Sequence, residues 1–425
     1  MDEQMIAGTT RRTFLMGLPV AGFMGTSLGA TALDRRDLTP LPQLTDKLLW
    51  QAVREEFIGS LNITAMNAAN MSPPCAGARA ALEAATTDID RDPSFENRAK
   101  YEQRHEATRA ALAELIGAEL DEIAITRNTS EGNNLIVQGL ALGPGDEIVL
   151  WEQNHRSNNL SWEVRSQREG FKIIRVATPE QPESAEDLIA PFREAIGPST
   201  RLVSFSHVSN SSGIELPAAA LCKLTADAGA LSMIDGAQTV GAMALDVKAL
   251  GCDFMTASGQ KWICGPREAG MLYIRENRQD LLNPLIVSYP LVGRDNGARA
   301  FEMLGQRDDG AVDALGQAAA LHLAIGASRI EARVRLLTDL LMTEIRRKAP
   351  AARFLTPENP AHRLGVLVTK VTQGEPEAAQ ARAYEQFAVS GSAFPGALRL
   401  CPHIYHNEAD VERAAAAMAT AIART

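Results

Sequence analysis

The chain is poor in several things. Only five of its 425 residues are cysteines (Cys75, Cys222, Cys252, Cys264, Cys401), an odd number with no CxxC pair. That excludes a disulfide framework and a zinc-ribbon type of site. Aromatic residues make up 5%, and no basic run interleaved with aromatics occurs; with a formal net charge of −10, nucleic acid is excluded as a partner. Beyond residue 33 no uncharged stretch is long enough to cross a bilayer. What is present in quantity is apolar residues, 45%, over a length suited to two domains.

The first segment reads as an address and not as fold. Thr10-Arg11-Arg12-Thr13-Phe14-Leu15 matches a twin-arginine export signal, with Met16 where a lysine usually stands. Phe14 to Leu33 is uncharged but diluted by Gly17, Pro19, Gly22, Gly25 and Gly29. Ala30-Thr31-Ala32 supplies a small-x-small cleavage pattern, so the mature chain is expected to begin at Leu33, in the periplasm, with no membrane span left after cleavage. The competing reading is an uncleaved anchor, since about 20 uncharged residues just span a bilayer. The export machinery is then a partner. It carries folded proteins, which suits a protein that must load a cofactor before leaving the cytoplasm.

Residues 33–65 read as an N-terminal arm with a helix around Leu48–Ile58. From about residue 66, helical and strand patterns alternate. Helices are expected at Ala99–Ile116, from Thr129, at Ser184–Ile196 with Ser184 and Asp187 at cap spacing, and at Pro217–Ala228 with proline in the first turn. Strands are expected at Glu122–Thr126, Glu147–Trp151, Phe171–Val176, Leu202–His207, Leu231–Ile234, Phe254–Ala257 and Gly270–Ile274. This is an α/β pattern, a mostly parallel central sheet flanked by helices. After an apolar helix at Val312–Ile325 and a long amphipathic one at Ile330–Lys348, the pattern changes. A strand at Gly365–Val371, a helix near Glu375–Val389, a strand at Ala397–Cys401 and a helix from Glu408 suggest a smaller C-terminal α+β domain. The expected division is 1–32 signal, 33–65 arm, 66–325 large domain and 326–425 small domain.

The chemistry is carried by residues just past strand ends, where open α/β sheets bind ligands. Asp235 closes one strand, and Lys261 follows the next in Ala257-Ser258-Gly259-Gln260-Lys261-Trp262, 26 positions on (261 − 235). Pyridoxal phosphate chemistry needs this pair: a lysine to hold the aldehyde, and a carboxylate to keep the pyridine nitrogen protonated. In Arg127-Asn128-Thr129-Ser130-Glu131-Gly132-Asn133-Asn134 a hydroxyl-bearing turn opens a helix, and free N–H groups there favour a phosphate. His155 follows another strand and could stack on a cofactor ring. Arg399, after Gly396, offers a planar guanidinium to a carboxylate.

In this order the motifs resemble the class V aminotransferase family of fold-type I pyridoxal phosphate enzymes, which includes cysteine desulfurases and isopenicillin N epimerase-like proteins. The resemblance covers nearly all of the chain after the signal. It implies a homodimer, pyridoxal 5′-phosphate as cofactor, and a small amine or amino-acid substrate. It makes Lys261 the Schiff-base lysine, Asp235 the partner of the pyridine nitrogen, Gln238 the partner of the ring hydroxyl, and His155 the stacking residue. Thr129 and Ser130 would hold the phosphate, helped by Ser258 and Gln260. Asn210 would lie near the ring hydroxyl and substrate, and Arg399 would bind the substrate carboxylate. There are departures. Gln260 stands where many relatives have histidine, and Gly265-Pro266-Arg267-Glu268 carries Arg267 where a smaller residue is usual. The interval Gly365–Leu398 holds no cysteine, whereas desulfurases place their nucleophile shortly before the arginine. Transamination, epimerisation and β-elimination use the same residues and stay open, as does a non-catalytic cofactor-binding protein. The signal combined with this layout also resembles periplasmic enzymes that tailor the siderophore pyoverdine.

Overall fold

The computed structural model describes residues 38, 41–57, 62–288, 294–372 and 374–423. The signal peptide, the cleavage site and the alternative anchor lie outside the described residues, as does Ile58 at the end of the expected arm helix. No helix of the described residues is long and apolar enough to cross a membrane.

Seven strands form the central sheet: β1 (Ile123–Thr126), β2 (Glu147–Trp151), β3 (Lys172–Val176), β4 (Thr200–Ser206), β5 (Leu231–Asp235), β6 (Phe254–Ser258) and β7 (Gly270–Ile274). Their spatial order is β1-β7-β6-β5-β4-β2-β3. The pairs from β3 through β2, β4 and β5 to β6 are parallel, while β7 is antiparallel to both its neighbours. Two reversals cancel, so β1 runs in the same direction as β6. The carboxyl ends of β1, β2, β4, β5 and β6 therefore share one edge of the sheet. The inner strands are buried on both faces, as their runs Ile148-Val149-Leu150-Trp151 and Phe254-Met255-Thr256-Ala257 require.

The expected strands are all present, two with the expected ends and the others with ends moved by one or two residues. Pro217 is the N-cap of the helix Ala218–Asp227 and not part of its first turn. Ser184 and Asp187 form the expected reciprocal capping box on the helix Ala185–Ala195. The helices Ala76–Arg91 and Arg156–Glu169 were not anticipated; their polar faces blur the 3.6-residue pattern. The buried helix Asp309–Ile325 packs against Ala76–Arg91 and Lys100–Ile116 and closes one face of the structure.

The C-terminal part holds an antiparallel three-stranded sheet of β8 (Leu367–Lys370), β9 (Ser392–Phe394) and β10 (Ala397–Leu400), ordered β9-β10-β8. Arg399 is the third residue of β10, paired with Ser392 and Val368. A separate apolar cluster of Leu337, Leu341, Ile345, Leu398, Val411 and Met418 lies here and includes Met66 from the arm side. By contacts, the described residues form one compact unit.

Candidate active site

A cleft of about 420 Å³ opens at the sheet edge where the strands end. Its walls include Thr129, Ser130, His155, Asn210, Asp235, Gln238, Ser258, Gln260, Lys261 and Arg399, so every residue singled out from the sequence meets the others there. Arg267 is exposed and does not line it.

Asp235 ends β5 and is buried. Its carboxylate accepts from the Ala237 N–H at 3.1 Å and from Asn133 Nδ2 at 3.3 Å. Asn133 is itself fixed by Thr256, whose hydroxyl donates to Asn133 Oδ1 at 2.7 Å. Sequence reasoning passed over Asn133. It sits one helical turn after Thr129, so the i, i+4 relation within that motif was the available signal.

Lys261 lies three residues past β6, half-buried in the cleft wall. Its ammonium makes no hydrogen bond or ion pair among the described residues. Burial pushes its pKa down and Arg399 adds to that, while Asp235 opposes it. The cleft therefore makes this ammonium easier to deprotonate than a free lysine's. His155 is also pushed down, by burial first and then by Lys261 and Arg399, against a raising effect of Asp235. Its Nδ1 shares a hydrogen bond with Ser157 Oγ at 2.8 Å and accepts from the Ser157 N–H at 3.3 Å. A ring accepting at Nδ1 from the backbone carries its proton on Nε2.

The helix Thr129–Gly139 opens on the cleft. Asn128 caps it by accepting from the Glu131 N–H at 3.0 Å. The Thr129 N–H donates to Ser258 Oγ at 2.8 Å, and the Thr129 and Ser258 hydroxyls are 2.7 Å apart. The Ser130 N–H and hydroxyl have no partner among the described residues. Asn128 takes one free N–H and Ser258 another, and Thr129 and Ser130 line the cleft.

Arg399 enters from the opposite wall. Its Nη1 donates to the Asn210 carbonyl at 2.9 Å, and its Nη2 to Asn67 Oδ1 at 3.1 Å and Ser392 Oγ at 3.3 Å. Phe394 packs against the guanidinium, 4.8 Å from ring centre to Cζ. Nε is buried without a partner. Every partner is neutral, and Arg399 forms no ion pair among the described residues. Burial pushes its pKa down accordingly. A buried cation without a counter-ion is an anion site. Asn67, Ser392 and Phe394 are further residues the sequence did not single out, because distant chain segments bring them to Arg399.

These residues fit pyridoxal phosphate. A buried carboxylate, an unpaired lysine amine and open donors at a helix start answer to a ring nitrogen, an aldehyde and a phosphate. Fold and cleft together define a fold-type I pyridoxal-phosphate enzyme. The chain belongs to the aminotransferase class-V family, whose model matches residues 92–390; its cofactor is pyridoxal 5′-phosphate. It is 30% identical to isopenicillin N epimerase of Streptomyces clavuligerus over 329 residues, 73% of this chain and 82% of that protein. A probable cysteine desulfurase of Pyrococcus abyssi is 37% identical over 193 residues, 45% of this chain and 46% of that one. Among solved structures, the apo cysteine desulfurase of Thermococcus onnurineus NA1 superposes with a TM-score of 0.79 at 24% identity, covering 88% of this chain and 98% of that one.

Proposed function

We propose that the protein is an exported enzyme acting at the α-amino group of an amino acid, or of a metabolite that carries one, by transamination. The observation that carries this reading is Arg399: a buried cation, without a counter-ion, facing Lys261 and Asp235 across one cleft. A substrate bearing a carboxylate beside its amine meets the first group with the one and the second pair with the other. Bound at this site, the cofactor supplies an electron sink for the bond to be broken at Cα. Asp235, held by Asn133 and the Ala237 N–H, would keep a proton on the ring nitrogen. Thr129, Ser130, Ser258 and Gln260 would hold the phosphate, Gln238 and Asn210 would serve the ring hydroxyl, and His155 would stack on the ring. Lys261 would remove the Cα proton and could return it.

The similarity to isopenicillin N epimerase over most of both chains favours a second reading, in which Lys261 or another group returns the proton to the opposite face of Cα. Cysteine desulfuration is the weaker reading: all five cysteines are buried, and none lines the cleft. The twin-arginine signal supports work in the periplasm, the family supports a homodimer, and a siderophore such as pyoverdine is the proposed substrate class there. Mass analysis of extracellular metabolites from a strain lacking the gene tests the substrate. Reaction of purified protein with candidate amino acids in D2O, followed by chiral separation, tests the chemistry. Amino transfer to a keto acid supports transamination; deuterium at Cα with inversion and no keto acid would establish the epimerase reading instead. A protein that binds cofactor but exchanges no Cα proton in any substrate would be a non-catalytic binder.

A further inference from the structure

Behind the cleft, Cys264, His322 and His403 form a buried group whose ligand atoms lie within 4.8 Å of one another. By residue type it resembles a metal site. Its centre, however, is already filled. His403 Nε2 lies 2.7 Å and His322 Nε2 2.8 Å from the carbonyl oxygen of Trp262, and Cys264 Sγ is 3.9 Å from the same atom. The contacts to that oxygen are those of hydrogen donors. Burial pushes the Cys264 thiol well up, so it stays S–H. His403 Nδ1 is buried with no partner, which puts its proton on Nε2, against the carbonyl. His322 faces carbonyl oxygens with both nitrogens, Trp262 on one side and Ala318 at 3.0 Å on the other; a neutral ring has one N–H and donates to one of the two.

Trp262 is the residue after Lys261. It is fully buried, and it ties several parts of the fold together. Its indole N–H donates to Gln238 Oε1 at 2.8 Å, and Gln238 Nε2 donates on to the Ala69 carbonyl at 3.1 Å. The His403 ring packs edge-on against the indole at 4.9 Å. Gly365 leaves the space the indole fills; a Cβ there would lie 2.3 Å from its Cη2. His403 and Gly365 belong to the C-terminal part, and Gln238 and Lys261 to the cofactor edge of the sheet. The turn itself is strained. Cys264, whose N–H donates to the Lys261 carbonyl at 3.2 Å, has φ of 56°, a left-handed conformation that a non-glycine residue keeps only when its surroundings enforce it.

We propose that His403 is a positioning residue for the cofactor lysine: its grip on the Trp262 carbonyl fixes the turn that presents Lys261, and the Trp262 indole carries the same constraint to Gln238. This rests on Lys261 being the lysine that bonds the cofactor.

The test uses full-length mature protein, stripped of cofactor, titrated with pyridoxal phosphate by absorbance. Borohydride reduction and peptide mass then report how much cofactor is joined to Lys261. His403→Leu leaves the carbonyl short of a donor, and the expected loss of cofactor affinity is roughly tenfold or more. His403→Gln, which keeps an N–H near the Nε2 position, should return affinity to within about threefold of the parent. Trp262→Phe, which removes the indole N–H from Gln238, should weaken binding in the same direction. Met418→Ala, in the separate apolar cluster of the C-terminal part, should lower Tm without changing cofactor affinity. The proposal is overturned if His403→Leu and Trp262→Phe bind cofactor like the parent, or if His403→Leu loses affinity no more than Met418→Ala at equal loss of Tm. It is also overturned if the isolated protein holds stoichiometric zinc or copper that Cys264→Ala abolishes. Should His403→Leu fail to fold, Trp262→Phe and His403→Gln decide the matter on the same readings. Lys261→Ala is run alongside. A reducible adduct persisting in it removes the lysine assignment and the proposal with it; its absence, with His403 variants like the parent, removes the proposal alone.

Discussion

Replacing Arg399 with alanine separates substrate binding from cofactor binding. The guanidinium is held by the Asn210 carbonyl, Asn67 and Ser392, all neutral, so its charge is uncompensated until a carboxylate arrives. A hydrogen bond to a charged group contributes about 1.5–3 kcal/mol. At about 1.4 kcal/mol per factor of ten, kcat/KM should fall roughly ten- to hundredfold. Most contacts proposed for the cofactor come from Asp235, Lys261 and the Thr129 turn, on other chain segments, and only Asn210 is held by Arg399, so cofactor affinity should fall far less than kcat/KM. Arg399→Lys should recover only part of the loss, because an ammonium cannot make the planar two-point contact and would not reach Asn210 and Asn67 together. The assay is steady-state kinetics on the preferred amino acid beside a cofactor titration of each variant. If alanine leaves kcat/KM intact while Lys261→Ala abolishes turnover, the carboxylate is held elsewhere. A substrate lacking a free α-carboxylate would then be the better assignment.

Asp235→Asn should retain cofactor yet lose at least about 10²–10³ in turnover, the usual scale for one decisive electrostatic contact; Asn133→Leu, which only frees that carboxylate, should lose less, and turnover near the parent's for Asp235→Asn would refute its role. Stability should fall in acid. Burial holds His207 at about 4, against 6.5 for the free side chain, so between those values the unfolded chain binds a proton the folded one refuses. Stability is then complete above pH 6.5 and lost as pH falls towards 4, by about 3 kcal/mol from this residue. Urea unfolding at pH 7 and pH 4.5 should show a smaller loss for His207→Asn than for the parent; equal losses would count against the assignment. Replacing Arg11 and Arg12 with lysine should leave cofactor-loaded protein in the cytoplasm, and recovery of that variant from the periplasm would exclude twin-arginine export.

Alternating periodicity was enough to lay out the sheet, because a strand buried on both faces must be an apolar run and its turn must be polar or glycine-rich. Thus Glu147–Trp151 and Gly270–Ile274 could be delimited to the residue. The cleft residues were legible for a related reason. Each lies within a few positions of a strand's carboxyl end, so Asp235, Lys261, His155 and Thr129 are marked by local sequence, and parallel pairing brings those ends to one edge. Helices with mixed faces, such as Arg156–Glu169, lacked that signal. Asn133 was hidden because its role depends on Thr256 and Asp235 on neighbouring strands. Asn67, Ser392 and Phe394 reach Arg399 only through the packing of the C-terminal sheet against the cleft. The same holds for Cys264, His322 and His403. Apart in sequence, they could have been ligands or core; only the folded chain puts the Trp262 carbonyl between them, because which atom occupies a meeting point is set by three-dimensional packing and not by residue type.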